Sequence, residues 1–364
     1  MKKSWLKLLL IILIIALIIN LTIFIPKQNQ EKVKIGVIMP LTGFLANVGI
    51  DTKNAIDLSF SDLDASKDVE LIYEDDACDS AKALTAYKKL VDVNKVNFII
   101  GPFCGQSAMT ILSSLNENKI ITISPGAPDN ELSKANDYFF RTRVPNKAET
   151  KKLIEFLNKE KIKKIAVYTA KNTFGQSYRD SLVNQLGNET KIVFEDGSSD
   201  YQTDFKTDIL KIKEKNPQAV FLVPASRQQM GIFVKQLKEL GFTPIILGGS
   251  VTEQQDLLDV AGNASEGIIY PYASPENLDI VKEYKEKYNK NPSMEVLNGY
   301  DAFSILYLAI KECKSDKECV RVKLNNLKDF NGTMGKISVD EFGDSQVELI
   351  LKTIKNDQFI PYKD

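Results

Sequence analysis

The sequence predicts an α/β protein made of two doubly wound parallel-sheet lobes behind an apolar N-terminal segment. Three observations predict it. From Val33 onward, short apolar runs alternate with longer amphipathic ones, the pattern of β-α-β units that form a parallel sheet covered on both faces. The pattern restarts after Arg143-Val144-Pro145, giving two sets of similar size. The length, 364 residues, suits two domains better than one.

The composition is globular, with 43% apolar and 26% charged residues. Lys and Arg number 47 against 48 Asp and Glu, a net charge of -1. A nucleic-acid binder carries a basic excess, so no such partner is expected. The chain has no histidine. A Ser-His-Asp triad, a Cys-His dyad and a His-ligated metal are therefore excluded.

Taken in order, Lys2, Lys3 and Lys7 precede an apolar run from Leu8 to Ile25 that Pro26 ends. Its length of about 27 Å as a helix is just enough to cross a bilayer. The basic flank would stay in the cytoplasm and place everything after Lys27 outside. A cleaved signal peptide has the same two regions, but no small-x-small site and no lipidation cysteine follows the run. A buried core helix is the third reading. Residues 1–31 are thus expected to be a membrane anchor or a signal segment.

The first set has strands at Val33–Met39, Val69–Tyr73, Val96–Ile100 and Ile120–Ile123. Between them lie helices carrying Ile56, Phe60 and Leu63, then Leu84, Tyr87, Leu90 and Val91, then Met109, Leu112 and Leu115, each at helical spacing. The second set has strands at Lys164–Thr169, Lys191–Glu195, Ala219–Val223 and Pro244–Leu247. Its helices are Lys147–Lys159, a segment near Tyr178–Leu186, Asp204–Lys213 and Gln229–Leu240. Helices at Glu276–Tyr288 and Met294–Lys311 follow, then strand-like pieces at Lys336–Val339 and Val347–Ile354. No long flexible linker separates the sets, which predicts packed lobes.

Ligands of open parallel sheets bind beyond the carboxyl ends of the strands. In the first set these ends are Pro40–Asn47, Asp75–Cys78, Gly101–Ser107 and Ser124–Asp129, rich in Gly, Pro, Ser and Thr. Such loops expose backbone N–H groups and the next helix adds its positive end, a combination suited to a small anion. Each loop taken alone is explained as well by turn formation. Cys78 and Cys104 follow the second and third strands, so their loops are neighbours, and a bond closing about 26 residues would contribute roughly 3 kcal/mol. Cys313 and Cys319 span a short loop after a helix. Four cysteines allow three pairings. Thiolate metal binding is the rival, but there is no CxxC pair. No metal or cofactor is expected.

Enzyme motifs are missing: GxGxxG, GxxxxGK[ST], the DxDxDG loop and the GxSxG elbow do not occur. The nearest approach, Gly105-Gln106-Ser107-Ala108-Met109, lacks the final Gly. Glu74, Asp75 and Asp76 read as a solvated cluster rather than a glycosidase pair.

At these loops the sequence resembles the extracytoplasmic solute-binding proteins of the leucine/isoleucine/valine-binding type, which serve ABC importers. The pieces that carry the resemblance are IGVIMPLTG (35–43), YEDDACDSAKA (73–83), IIGPFCGQS (99–107), ITISPGAPDNEL (121–132) and GTMGKISVDEFGD (332–344). It implies a type I periplasmic binding fold, with lobe 1 formed by 32–144 and 273–344 and lobe 2 by 145–272 and 345–364. It implies three hinge crossings near 143–146, 270–273 and 343–347, and a Cys78–Cys104 bond. It implies a small ligand held in an interlobe cleft, ABC permease subunits as partners, and no enzymatic activity. The ectodomain of a sensory receptor is the alternative. The stub Met1–Lys7 would be too short to signal alone.

The family's ligand-carboxylate serine falls on Gly105, leaving Gln106, Ser107 or backbone groups to serve. The loop that receives the ligand ammonium reads Gly126-Ala127-Pro128, with proline at the threonine position. The second lobe's aromatic lid falls on Phe174, its acidic ammonium partner falls near Ser250, and Ser226 completes that side. Two ammonium contacts are thus replaced. A buried ammonium without acceptors costs several kcal/mol. The expectation is a carboxylate lacking the amine, an amide or a short peptide rather than a zwitterionic amino acid.

Overall fold

The computed structural model describes Trp5 and residues 31–133, 137–273 and 278–363. The Leu8–Ile25 run lies outside the described residues. Among those described, no helix is long and apolar enough to cross a membrane.

The first unit runs β1 (Val33–Met39), α1 (Ala46–Asp62), β2 (Val69–Asp75), α2 (Ser80–Lys88), β3 (Phe98–Ile100), α3 (Gly105–Glu117), β4 (Ile121–Ser124) and β5 (Phe139–Arg141). Its sheet has the order β2-β1-β3-β4-β5, and every neighbouring pair is parallel. The inner strands are apolar on both faces because both faces are covered. Ile35, Val37, Phe98 and Ile100 pack one way with Phe303 and Leu306, while Ile38 and Ile99 pack the other way with Ile111 and Leu115.

The second unit runs α4 (Asn146–Lys159), β6 (Lys164–Ala170), α5 (Thr173–Gln185), β7 (Lys191–Ser198), α6 (Lys206–Glu214), β8 (Ala219–Val223), α7 (Arg227–Glu239), β9 (Ile245–Leu247), α8 (Gln255–Ala261) and β10 (Ile269–Ala273). The chain then returns through α9 (Leu278–Tyr288), α10 (Met294–Glu312) and α11 (Lys317–Asn325). Helix α10 lies along α1, where the Ser59 and Ser304 hydroxyls meet at 2.7 Å. Strands β11 (Phe330–Gly332), β12 (Gly335–Val339), β13 (Ser345–Gln346), β14 (Leu349–Lys355) and β15 (Gln358–Pro361) complete the fold.

The expectation of two parallel sheets needs correction at the C-terminal end. The second sheet, β15-β14-β10-β9-β8-β6-β7, is mixed: β14 runs antiparallel to β10, and β15 antiparallel to β14. Strands β11, β12 and β13 form a separate antiparallel sheet. Local connectivity is the reason. A parallel return needs a crossover of a dozen residues or more, whereas β14 and β15 are joined through Asn356 and Asp357, with φ of 51° and 56°. Left-handed values at both central residues define the two-residue hairpin turn.

Cys78 pairs with Cys104 and Cys313 with Cys319, at Cα separations of 5.5 and 5.6 Å, within the range a disulfide can bridge. The first bond ties the loop after β2 to the start of α3. Replacing Cys78 and Cys104 together by alanine is expected to lower the unfolding free energy by about 3 kcal/mol, measured by urea denaturation. A change below about 1 kcal/mol would mean that the bond does not constrain the unfolded chain as supposed.

Candidate functional site

In each sheet the strand order reverses once, between β1 and β3 and between β6 and β8. Loops diverge at such a switch point and leave a crevice beyond the carboxyl ends. In the first unit the crevice is bordered by Pro40–Leu45 and by Gly101–Cys104. In the second it is bordered by Lys171–Asn172 and by Pro224–Ser226. Loops from the carboxyl edges of the two sheets meet. Phe44, after β1, meets Tyr201, after β7, edge to face with centroids 6.1 Å apart. Asn130 Nδ2, after β4, donates to Ser181 Oγ on α5 at 2.6 Å.

Gly105 opens α3, and no side chain caps that helix. The Gln106 side-chain amide donates to the Cys78 carbonyl, so it braces the neighbouring loop. Ser107 Oγ and Asp76 Oδ2 are both fully buried, and neither meets hydrogen-bond geometry with a partner among the described residues. Burial pushes the Asp76 carboxyl up, while the nearby Ser107 hydroxyl pulls it down.

The Gly126-Ala127-Pro128 loop has spent most of its backbone groups. The N–H groups of Gly126 and Ala127 approach Ser124 Oγ at 3.4 and 3.1 Å. The Ala127 carbonyl accepts from Arg141 Nη1 at 3.0 Å, and the Pro128 carbonyl accepts from Asn146 N at 2.9 Å. Those two N–H groups are therefore not the free anion donors that the sequence suggested. The next residue, Asp129, turns its carboxylate to Gly105, where a β-carbon would collide with it.

On the facing unit, Phe174 is half-buried and packs edge to face on Tyr178 at 5.1 Å. Ser226 caps α7, its hydroxyl accepting from Gln229 N at 3.2 Å. Ser250 is buried, and its hydroxyl donates to Glu149 Oε1 and accepts from Arg143 Nη2, both at 2.7 Å. Phe174 and Ser226 thus stand at the second switch point, whereas Ser250 belongs to a closed polar network. In that network Arg143 pairs with Glu149 at 2.8 Å, and Glu149 Oε2 accepts from Tyr178 Oη and from Ser250 N. Burial and the Glu149 charge push the Tyr178 hydroxyl far above its usual range.

Two further ion pairs join segments distant in the chain. Arg141, at the end of β5, holds Asp344 at 2.6 Å, and both side chains are buried. Arg227 approaches Glu295 at 3.7 Å. Against the upward push of burial, Arg227 and Arg143 hold the Glu295 carboxyl below its ordinary value. Sequence reasoning missed Asp129, Arg141, Arg143 and Glu149, and also the Phe44–Tyr201 contact. Arg143 and Glu149 are separated by six positions along the chain and carried no motif. The one visible signal was Gly105 itself, standing where the resemblance expected a serine.

The sequence pattern of the family described as periplasmic binding protein matches residues 32–348. A Pseudomonas aeruginosa relative, the leucine-, isoleucine-, valine-, threonine-, and alanine-binding protein, is 25% identical over 329 residues, covering 86% of this chain and 87% of its own. The crystal structure of a leucine-binding protein from Thermotoga maritima superposes with a TM-score of 0.82 at 24% identity, over 91% of this chain and 98% of that one. A solute-binding protein of an ABC transporter from Rhodopseudomonas palustris, in complex with 3,4-dihydroxybenzoic acid, gives 0.81 at 23% identity, over 91% and 96%.

Proposed function

The chain belongs to the periplasmic binding protein family, and from that premise we propose that it is an extracytoplasmic solute-binding protein of an ATP-driven importer. One observation supports this most directly: each sheet has a switch point at its carboxyl edge, and loops from the two edges meet at Phe44 and Tyr201. A small molecule bound there touches lobe 1 (32–144 and 273–344) first. Lobe 2 (145–272 and 345–364) then closes on it, as in the domain closure described for periplasmic binding proteins. The closed form is what permease subunits recognise. The segment 1–31 tethers the protein to the outer face of the membrane, which raises its local concentration at that partner.

The ligand-facing residues in this proposal are Gly105, Gln106 and Ser107 on α3, Gly126, Ala127 and Pro128 after β4, and Phe174 and Ser226 opposite. Ser250 supports them from behind through Glu149. The relatives' ligands differ, amino acids in one name and a dihydroxybenzoate in one complex, so the scaffold alone does not fix the cargo.

A thermal-shift screen over amino acids, amides, amines and carboxylates tests the proposal. A true ligand at a hundredfold excess over Kd should stabilise the protein by about 2.7 kcal/mol. The same ligand should reduce the radius of gyration in solution scattering and be recovered chemically unchanged. Superimposable scattering curves with a bound ligand, or a ligand converted to product, would refute it.

A further inference from the structure

We propose that Asp129 turns the lobe-1 side of this cleft into a receptor for a cationic amine nitrogen, at the position where the family resemblance expects a ligand carboxylate. This inference rests on the solute-binding function proposed above.

The carboxylate of Asp129 occupies the space that a side chain at position 105 would need. The oxygen at the start of α3 therefore comes from the loop after β4, and it belongs to an acid instead of a hydroxyl. Asp129 is only 2% exposed. Among the described residues no side chain donates to its carboxylate, and no Lys or Arg nitrogen pairs with it. Arg141 acts on it as a counter-charge, but that guanidinium is spent on Asp344, on the carbonyls of Ala127 and Asp129 and on Ser133. Burial pushes the Asp129 carboxyl up to about 6, which leaves it mostly ionised at neutral pH.

The Asp129 backbone N–H is the one hydrogen-bond donor resolved for its carboxylate, and a buried carboxylate without a cation against it is costly, so a bound cation lowers that cost. The surrounding side chains offer little to a ligand carboxylate, and the uncapped start of α3 already faces the Asp129 charge. Arg143 is bonded to Glu149, Arg227 faces Glu295, and the Gly126 and Ala127 N–H groups point to Ser124. The chemistry favours a small amine without an α-carboxylate. An amino acid would bring its own negative charge beside Asp129, and a simple carboxylate would bring only that charge. An amine ligand departs from the amine-free carboxylate, amide or short peptide expected from the sequence.

The test compares matched triplets at pH 7.5 by calorimetry: an amine, the corresponding α-amino acid, and the carboxylate that lacks the amine, over aliphatic and aromatic side chains. The wild-type protein should bind the amine at least tenfold tighter than either partner of its triplet. Asp129→Asn should weaken amine binding a hundredfold while leaving unliganded thermal stability equal or higher. The double substitution Gly105→Ser with Asp129→Ala should reverse the order toward the carboxylate. Because Asp129→Asn could disturb the loop, the reversal by the double variant separates a charge effect from a packing effect. A carboxylate or amino acid bound tighter than its amine, with unchanged affinity in Asp129→Asn, overturns the inference and leaves the solute-binding function standing. If no member of any triplet binds, the inference falls, and the solute-binding function is then decided by the thermal-shift and scattering tests above.

Discussion

Arg141→Ala is expected to lower the unfolding free energy by about 3–5 kcal/mol, because it strands a buried carboxylate. The Arg141 guanidinium donates from Nε to Asp344 Oδ1 at 2.7 Å, from Nη1 to the Ala127 and Asp129 carbonyls at 3.0 and 2.7 Å, and from Nη2 to Ser133 Oγ at 2.9 Å. Asp344 is 1% exposed. After the substitution it keeps only Lys147 at 3.0 Å and the Ser133 hydroxyl at 2.7 Å. The loss should therefore fall toward the lower end of that range. Lysine at 141 cannot rescue it, since a single ammonium does not reproduce the planar fork that reaches four acceptors. Arg141→Met combined with Asp344→Leu should recover most of the stability, because an apolar pair of similar volume avoids the desolvation cost of two ions. Urea unfolding of the three variants measures this. Equal stability of Arg141→Ala and wild type would show that the pair contributes nothing net.

The same arginine explains how the proposed site is positioned. It joins the end of β5 to Asp344, before β13, and to the loop after β4 that carries Asp129. Loosening Arg141 should therefore free Asp129 from Gly105, and ligand affinity should fall together with stability. A loss of stability without any loss of affinity would separate the two roles.

The inner strands and the sheet-edge loops were legible in the sequence because a strand buried on both faces writes a continuous apolar run. Ile35–Met39 is such a run, and it supplies the five buried residues of β1. Among the short strands, β3, β4 and β9 were legible as apolar runs, whereas β5, β11, β13 and β15 were not. Phe139–Arg141 follows no alternation and ends in a buried arginine, so β5 exists only through its pairing with β4. The hairpin between β14 and β15 did leave a signal, the Asn356-Asp357 pair between two apolar stretches, whose residue types tolerate left-handed backbone. The buried ions were hidden for another reason. Charge in a sequence ordinarily marks solvent, and Arg143, Glu149 and Asp129 are read as internal only once partners from distant segments are in place. The site residues named from the sequence follow the strand ends, but which of their groups remain free depends in part on hydrogen bonds between distant segments, such as Ser250 N to Glu149, 101 positions apart.

Asp301 predicts a pH dependence of stability whose sign is opposite to that of an ordinary paired carboxylate. It lies on α10, almost fully buried, and accepts from Thr333 N at 2.9 and 3.0 Å and from Thr333 Oγ1 at 2.7 Å, in the turn between β11 and β12. No Lys or Arg pairs with it among the described residues. Burial therefore outweighs the Thr333 donors and raises its carboxyl from 3.8 to about 7. Below pH 4 the folded and unfolded chains both hold the proton. Between pH 4 and 7 the unfolded chain releases it and the folded chain keeps it, so stability falls as pH rises and levels off above 7. Asp301→Asn removes this titration while keeping an acceptor for Thr333 N. From pH 5 to pH 8 the stability of the variant relative to wild type should rise by roughly 2.5 kcal/mol, read from urea midpoints at the two pH values. Comparing the two proteins at each pH cancels every other titrating group, including Asp129. Parallel stability curves would mean that the folded protein ionises Asp301 as readily as the unfolded chain does, and that the turn at Thr333 is held by a carboxylate.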